Sequence, residues 1–140
     1  MKRLALASIA LALAAVACGG GEGTGSQSPS PSTSVKRPRS TATIAILSPT
    51  PGQTVSTKGV TVKISLTGAT IVKQTSTNLS PDKGHVHLLV DGTVVQYTGG
   101  LEIATGPLPK GPHLLQVEFV AVDHAPFNPR VLAQVTVTAA

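Results

Sequence analysis

One cysteine, no tryptophan, one tyrosine and two phenylalanines are all that 140 residues contain of these types. A single thiol excludes a disulfide scaffold and a cysteine-based structural zinc module. So few rings exclude the aromatic platforms on which single-stranded nucleic acid stacks, and no nucleic-acid partner is expected. Charged residues make up only 12% of the chain. The carboxylates are scattered, there is no Gly-x-Ser-x-Gly elbow, and no glycine-rich loop opens a helix. Glycosidase, serine-hydrolase and nucleotide chemistry therefore lack their residues, and the chain is not expected to be an enzyme.

An excess of acid is also missing, and the formal charge is +5. That charge belongs to the N-terminal arm. From Thr41 onward six bases (Lys58, Lys63, Lys73, Lys83, Lys110, Arg130) face five acids (Asp82, Asp91, Glu102, Glu118, Asp123), so the body of the chain is nearly neutral and offers no basic binding face.

What is present begins with an address. Lys2 and Arg3 precede fourteen residues, Leu4 to Ala17, that are apolar except for Ser8. This is the pattern of a secretory signal, with a core too short to remain in a bilayer. Ala15-Val16-Ala17 comes directly before Cys18, the sole cysteine, and the segment resembles a bacterial lipoprotein signal in which the new N-terminal cysteine is lipidated. Ordinary signal peptidase also accepts Ala-Val-Ala; both readings cut after Ala17, and only the lipoprotein reading adds a membrane anchor at Cys18. Sixteen of the 22 residues from Gly19 to Ser40 are Gly, Ser, Pro or Thr. Such a segment buries too little apolar surface to offset the entropy of ordering. It is expected to be a disordered tether of about 25 Å mean reach, whose Lys36-Arg37-Pro38-Arg39 cluster is either a solvated charge or a contact to anionic lipid or wall polymer. The expected organisation is thus 1–17 signal peptide, 18–40 lipidated cysteine and linker, and 41–140 one small domain, extracytoplasmic and held at the membrane by Cys18.

Within that domain apolar residues alternate with period two, and turn residues recur every eight to twelve positions or so. Val60, Val62, Ile64 and Leu66 alternate with polar neighbours. Leu115, Val117, Phe119 and Ala121 share one face, as do Val131, Ala133, Val135 and Val137. Asp91-Gly92 suits the positive φ angles of a type I′ hairpin turn between Gly84–Val90 and Thr93–Tyr97. About seven strands in about 100 residues predict an all-β, immunoglobulin-like sandwich with a Val, Ile and Leu core.

Ser-Pro-Thr-Pro-Gly-Gln-Thr-Val from Ser48, Leu89-Val90-Asp91-Gly92 and Gly111-Pro112-His113-Leu114-Leu115-Gln116-Val117 resemble the Ig-like modules of bacterial surface proteins. The stretches Gly84 to Asp91, Lys110 to Gln116 and Asp123 to Pro129 are similar to a domain-of-unknown-function family of secreted bacterial proteins. Its motifs are a His-rich strand running into Leu-Leu-Ile-Asp, a Pro-Gly-x-His turn and an Asp-His pair. This chain departs from that pattern by Val86 within the His run and by lacking further histidines after His124. The resemblance implies a fold and a compartment, and no activity.

The chemical anomaly is histidine: His85, His87, His113 and His124 all fall within 40 residues. On a strand His85 and His87 point to one face with Cβ atoms about 6 to 7 Å apart, a gap two imidazoles can close on one ion. If Val86 and Leu88 face the core, both face outward, and His124 continues the outward parity of Glu118, Val120 and Val122. His85, His87 and His124, with Asp123 or Glu118 in support, are therefore candidate ligands for Cu(II) or Zn(II), copper favoured by the affinity order. The bland alternative is a set of histidines on a wet sheet face beside an Asp-His turn. His113 has inward parity and is expected to hydrogen-bond a corner of the sandwich, with a reserve role as ligand. Phe127 is expected to plug the sandwich end, and Tyr97 to pack in a turn. The function these residues predict is a lipid-anchored binding domain, with a copper or zinc site or, as the competing reading, a metal-free module that docks another envelope protein. The metal reading requires the three imidazoles within about 5 Å of one point; the other requires an exposed apolar patch or strand edge.

Overall fold

A computed structural model of the chain describes residues 36–140. The expected signal segment, Cys18 and most of the expected linker lie outside the described residues. The alternating sequence becomes nine strands with no helix among the described residues. They are β1 (Thr43–Ser48), β2 (Thr54–Val55), β3 (Thr61–Thr67), β4 (Thr70–Ile71), β5 (Lys83–Val90), β6 (Thr93–Thr98), β7 (Glu102–Ala104), β8 (Gly111–Ala121) and β9 (Pro126–Ala139).

Two sheets face each other. One runs β1-β3-β7; the other runs β2-β9-β8-β5-β4, with β6 also paired to β5. This is the layout of an immunoglobulin-like sandwich. The two strands beyond the expected seven are the two-residue β2 and β4, which join β9 and β5 in parallel. Val62, Ile64 and Ile103 from the small sheet meet Val86, Leu88, Leu115, Val117, Phe119, Val135 and Val137 from the large one, and all are buried. The parity read from sequence thus holds, and Asp91 (φ 51°) and Gly92 (φ 82°) adopt the positive angles the hairpin turn requires.

Three expectations are corrected. The outer face of β5 and β8 is not wet: His85, His87, Glu118, Val120 and Val122 are all buried there. The segment after β4 lies over it, with Val72 N–H bonded to Gly84 and Ser76 N–H to Val122. The strand whose inward face was read from Val131 to Val137 starts earlier, at Pro126. Finally, residues 37–40 are docked on the sandwich: Asn128 N–H bonds to the Pro38 carbonyl and the Ser40 hydroxyl to that of Pro81. The packed unit therefore begins before Thr41.

Candidate functional site

Three backbone features assemble a cluster on the outer face of the large sheet. The first is the ladder of β5 and β8, which sets His85 opposite Val120 and His87 opposite Glu118. The second is the turn after β8. His124 N–H bonds to the Ala121 carbonyl at 2.9 Å and Ala121 N–H to that of Ala125 at 3.0 Å, while His124 takes φ 62°. This is a tight hairpin loop with histidine in the left-handed position that glycine usually fills. The third is a bulge in the β5–β6 hairpin. Leu89 pairs with Val94 but Leu88 with Gln96, so Val95 is extra and Tyr97 lands opposite His87.

The rings meet as a consequence. His124 stacks on His85 with centroids 4.1 Å apart and planes 4° from parallel. His87 lies 5.4 Å from His124 by centroid. Tyr97 stands edge-on to both, 4.7 Å from His87 and 5.7 Å from His124. His85 Nε2–H donates to the Val122 carbonyl at 3.3 Å. His87 Nε2 and His124 Nδ1 are 3.1 Å apart, so one carries a proton and the other offers its lone pair. His124 Nε2 lies 3.3 Å from the Thr75 hydroxyl. A hydroxyl and two imidazoles thus form a continuous hydrogen-bonded row from solvent to the buried His87. Beside it opens a cleft of about 320 Å³ lined by Val72, Lys73, His85, Tyr97, Gly99 and His124.

Burial pushes His87 and His124 below the ordinary histidine pKa, and the neighbouring imidazoles push the same way. Glu118 pulls His87 back up, and Asp123 does so for His124, without reversing either shift. Both rings are therefore neutral near neutral pH and keep a lone pair each.

The three predicted outer histidines do come together, but as a stack. Two imidazoles with parallel planes 4.1 Å apart cannot both aim in-plane lone pairs at one ion, and no group of three or more His, Cys, Asp or Glu among the described residues is arranged to hold a metal. Asp123 does not join the imidazoles. Both its oxygens accept from Arg37, which holds its carboxyl below the usual range. Glu118 sits below His87 but gives both its oxygens to Arg130, at 2.7 and 2.6 Å. His113 is at the far corner, between Asp91 at 2.7 Å and the Pro109 carbonyl at 2.8 Å, where sequence parity placed it. Phe127 does plug the core, stacked 5.5 Å from Phe119.

Tyr97, Lys73, Thr75 and Arg37 were not anticipated. Counting back from Asp91-Gly92 without a bulge puts Gln96 opposite His87, so no local signal identified Tyr97. Arg37 was hidden because its Pro- and Ser-rich surroundings read as linker.

No protein-family model matches the chain, and no curated protein does. Among solved structures it is similar to fibronectin(III)-like modules of Clostridium thermocellum CbhA, at 12% identity and TM-score 0.42, over 69% of this chain and 94% of that one. It is also similar to an engineered protein, at 18% identity and TM-score 0.45, over 71% of this chain and 20% of that one. The chain therefore spans about a fifth of the engineered protein's length.

Proposed function

We propose that this protein is an extracytoplasmic binding module, held at the membrane by a lipid on Cys18, and that its outer-sheet imidazole cluster takes a Cu(II) or Zn(II) ion. The observation that carries the metal reading is the 3.1 Å approach of His87 Nε2 to His124 Nδ1. Two nitrogens bound to one tetrahedral zinc lie about 3.3 Å apart, and two at right angles about 2.9 Å. An ion takes the place of the shared proton after ring rotations, the proton moving by tautomerisation to the other nitrogen of the ring that carried it, so that both rings stay neutral. His85 then packs on the ligand His124 and is not itself a ligand, and Asp123 acts only through the backbone of the turn. Binding rather than catalysis is the reading because the hydroxyl hydrogen-bonded to His124 belongs to Thr75, on an exposed loop.

The test is calorimetric titration of each ion into the full chain and three variants. Dissociation constants below about 1 μM that are lost in His87→Gln and in His124→Gly but kept in His85→Phe support the site. Absence of binding, or binding kept in His87→Gln, sinks it. The anchor is tested apart: Cys18→Ser releases the chain from the membrane fraction if Cys18 is lipidated, and leaves it there if it is not.

A second reading, docking of an envelope protein with no metal, is favoured by one observation. On β6 Val94, Val95 and Tyr97 are 37, 42 and 62% exposed, an uncharged strand edge open to pairing. Loss of partner capture on Val95→Lys, with ion binding absent, selects it.

A further inference from the structure

The imidazole cluster depends on a turn that holds a histidine in a conformation it rarely adopts. A non-glycine residue is disfavoured in the left-handed region, so the contacts that hold the turn matter to the site. The chain segment that enters the domain supplies them. Arg37 donates through Nε to the Pro126 carbonyl at 2.8 Å and through Nη2 to the Ala125 carbonyl at 2.7 Å. Its Nη1 and Nη2 also grip the two oxygens of Asp123, at 2.5 and 2.9 Å. These acceptors lie on both sides of His124. Asp123 Oδ1 in turn accepts Ala125 N–H at 3.1 Å, closing the turn from within.

The following residues continue as a strap. The Pro38 carbonyl accepts Asn128 N–H at 3.1 Å, and Ser40 and Thr41 both donate to the Pro81 carbonyl, just ahead of the strand that carries His85 and His87. One short segment therefore ties the start of β5 to the turn after β8, and these are the two places the stacked rings come from.

We infer that Arg37 is a positioning residue of the site: its guanidinium fork fixes the Asp123–Pro126 turn, sets the His124 ring on His85, and makes the residues that enter the domain part of the site. This rests on the imidazole cluster as the binding site but not on the identity of its ligand. Geometry rather than charge carries the effect, since three nitrogens reach separate acceptors in a planar fork that an ammonium cannot reproduce.

The experiment records proton NMR spectra of the full chain in its wild-type, Arg37→Ala and Arg37→Lys forms. Cross-relaxation between the His85 and His124 ring protons reports the stack, and the upfield methyl signals of the Val and Leu core report the fold. Both variants are expected to lose the ring contact while the core methyl signals stay dispersed, and Lys is expected to fail to restore it. Ring contact intact in Arg37→Ala, or restored by Arg37→Lys, overturns the inference. If Arg37→Ala loosens the core, Arg37→Lys decides, because it keeps the charge and the aliphatic stem. Zinc titration of the same samples separates the two readings. If wild type binds, both variants are expected to bind at least tenfold more weakly; if wild type does not bind, the metal reading fails and the ring contact alone tests Arg37.

Discussion

At the scale of single residues, His124 carries two opposing terms. Its backbone sits at φ 62°, where a side chain is disfavoured, while its ring gains contact with His85, His87 and Tyr97. His124→Ala loses the ring and keeps the strain, whereas His124→Gly loses the ring and the strain together. The glycine variant is therefore expected to be more stable than the alanine variant by about 1 kcal/mol in urea unfolding. Equal stability of the two would mean that the turn relaxes without its histidine.

Among the elements, β5 has the most exacting surroundings, because it pairs with β8 along its whole length and with β6 and β4 on its other edge. Gly84 shows how close that packing is. A Cβ there falls 1.9 Å from the Val120 carbonyl oxygen and 3.0 Å from the Phe119 ring. Gly84→Ala must push β8 away just where His85 begins the site, and is expected to destabilise the domain by about 1 to 3 kcal/mol in chemical denaturation. A loss under a few tenths would show the two strands to be less tightly apposed. A second excursion lies on β9: Phe119 pairs with Val131 but Val120 with Pro126. The intervening residues on β9 let Phe127 enter the core and let Arg130 reach the buried Glu118.

For the molecule as a whole, the histidines divide into two groups with opposite pH dependence. His113 has an acceptor at each ring nitrogen, which favours the doubly protonated ring; the Asp91 hydrogen bond, then that to Pro109, raise its pKa. Its contribution is full below the ordinary histidine value of about 6.5 and is lost as pH rises through the raised one. Asp91, held low chiefly by the same bond, contributes above the ordinary carboxylate value and loses that contribution in acid. His87 and His124 are held low by burial, so their contribution is present above about 6.5 and is lost as pH falls through their lowered values. Melting temperature measured with chelator present is expected to decline on both sides of neutrality. His113→Asn should flatten the alkaline side and also remove the part of the strongly acid loss that Asp91 owes to the same bond, while His87→Gln should lessen the loss just below neutrality and leave the alkaline side unchanged. A His113→Asn variant that still loses stability above about pH 6.5 as wild type does would refute the assignment.

Properties that depend on period and on neighbouring residues were readable from sequence alone. They are the inward sets of β3, β5, β8 and β9, the Asp91-Gly92 turn, the corner role of His113, and the common face of His85, His87 and His124. Strand parity is a property of the local chain, so each of these needs only nearby residues. Whether the outer face was wet, whether three imidazoles would converge or stack, and whether Asp123 was free for them could not be read in this way. Each turned on a contact or pairing that strand parity does not carry: the segment after β4 lying over β5, Val95 bulging to carry Tyr97 to His87, and Arg37 reaching Asp123 across the domain. A one-residue bulge changes every pairing beyond it, and a guanidinium outcompetes an imidazole cluster for a carboxylate only where the fold brings them together. The candidate ligand residues were thus written in the chain, while their arrangement was decided by the tertiary structure.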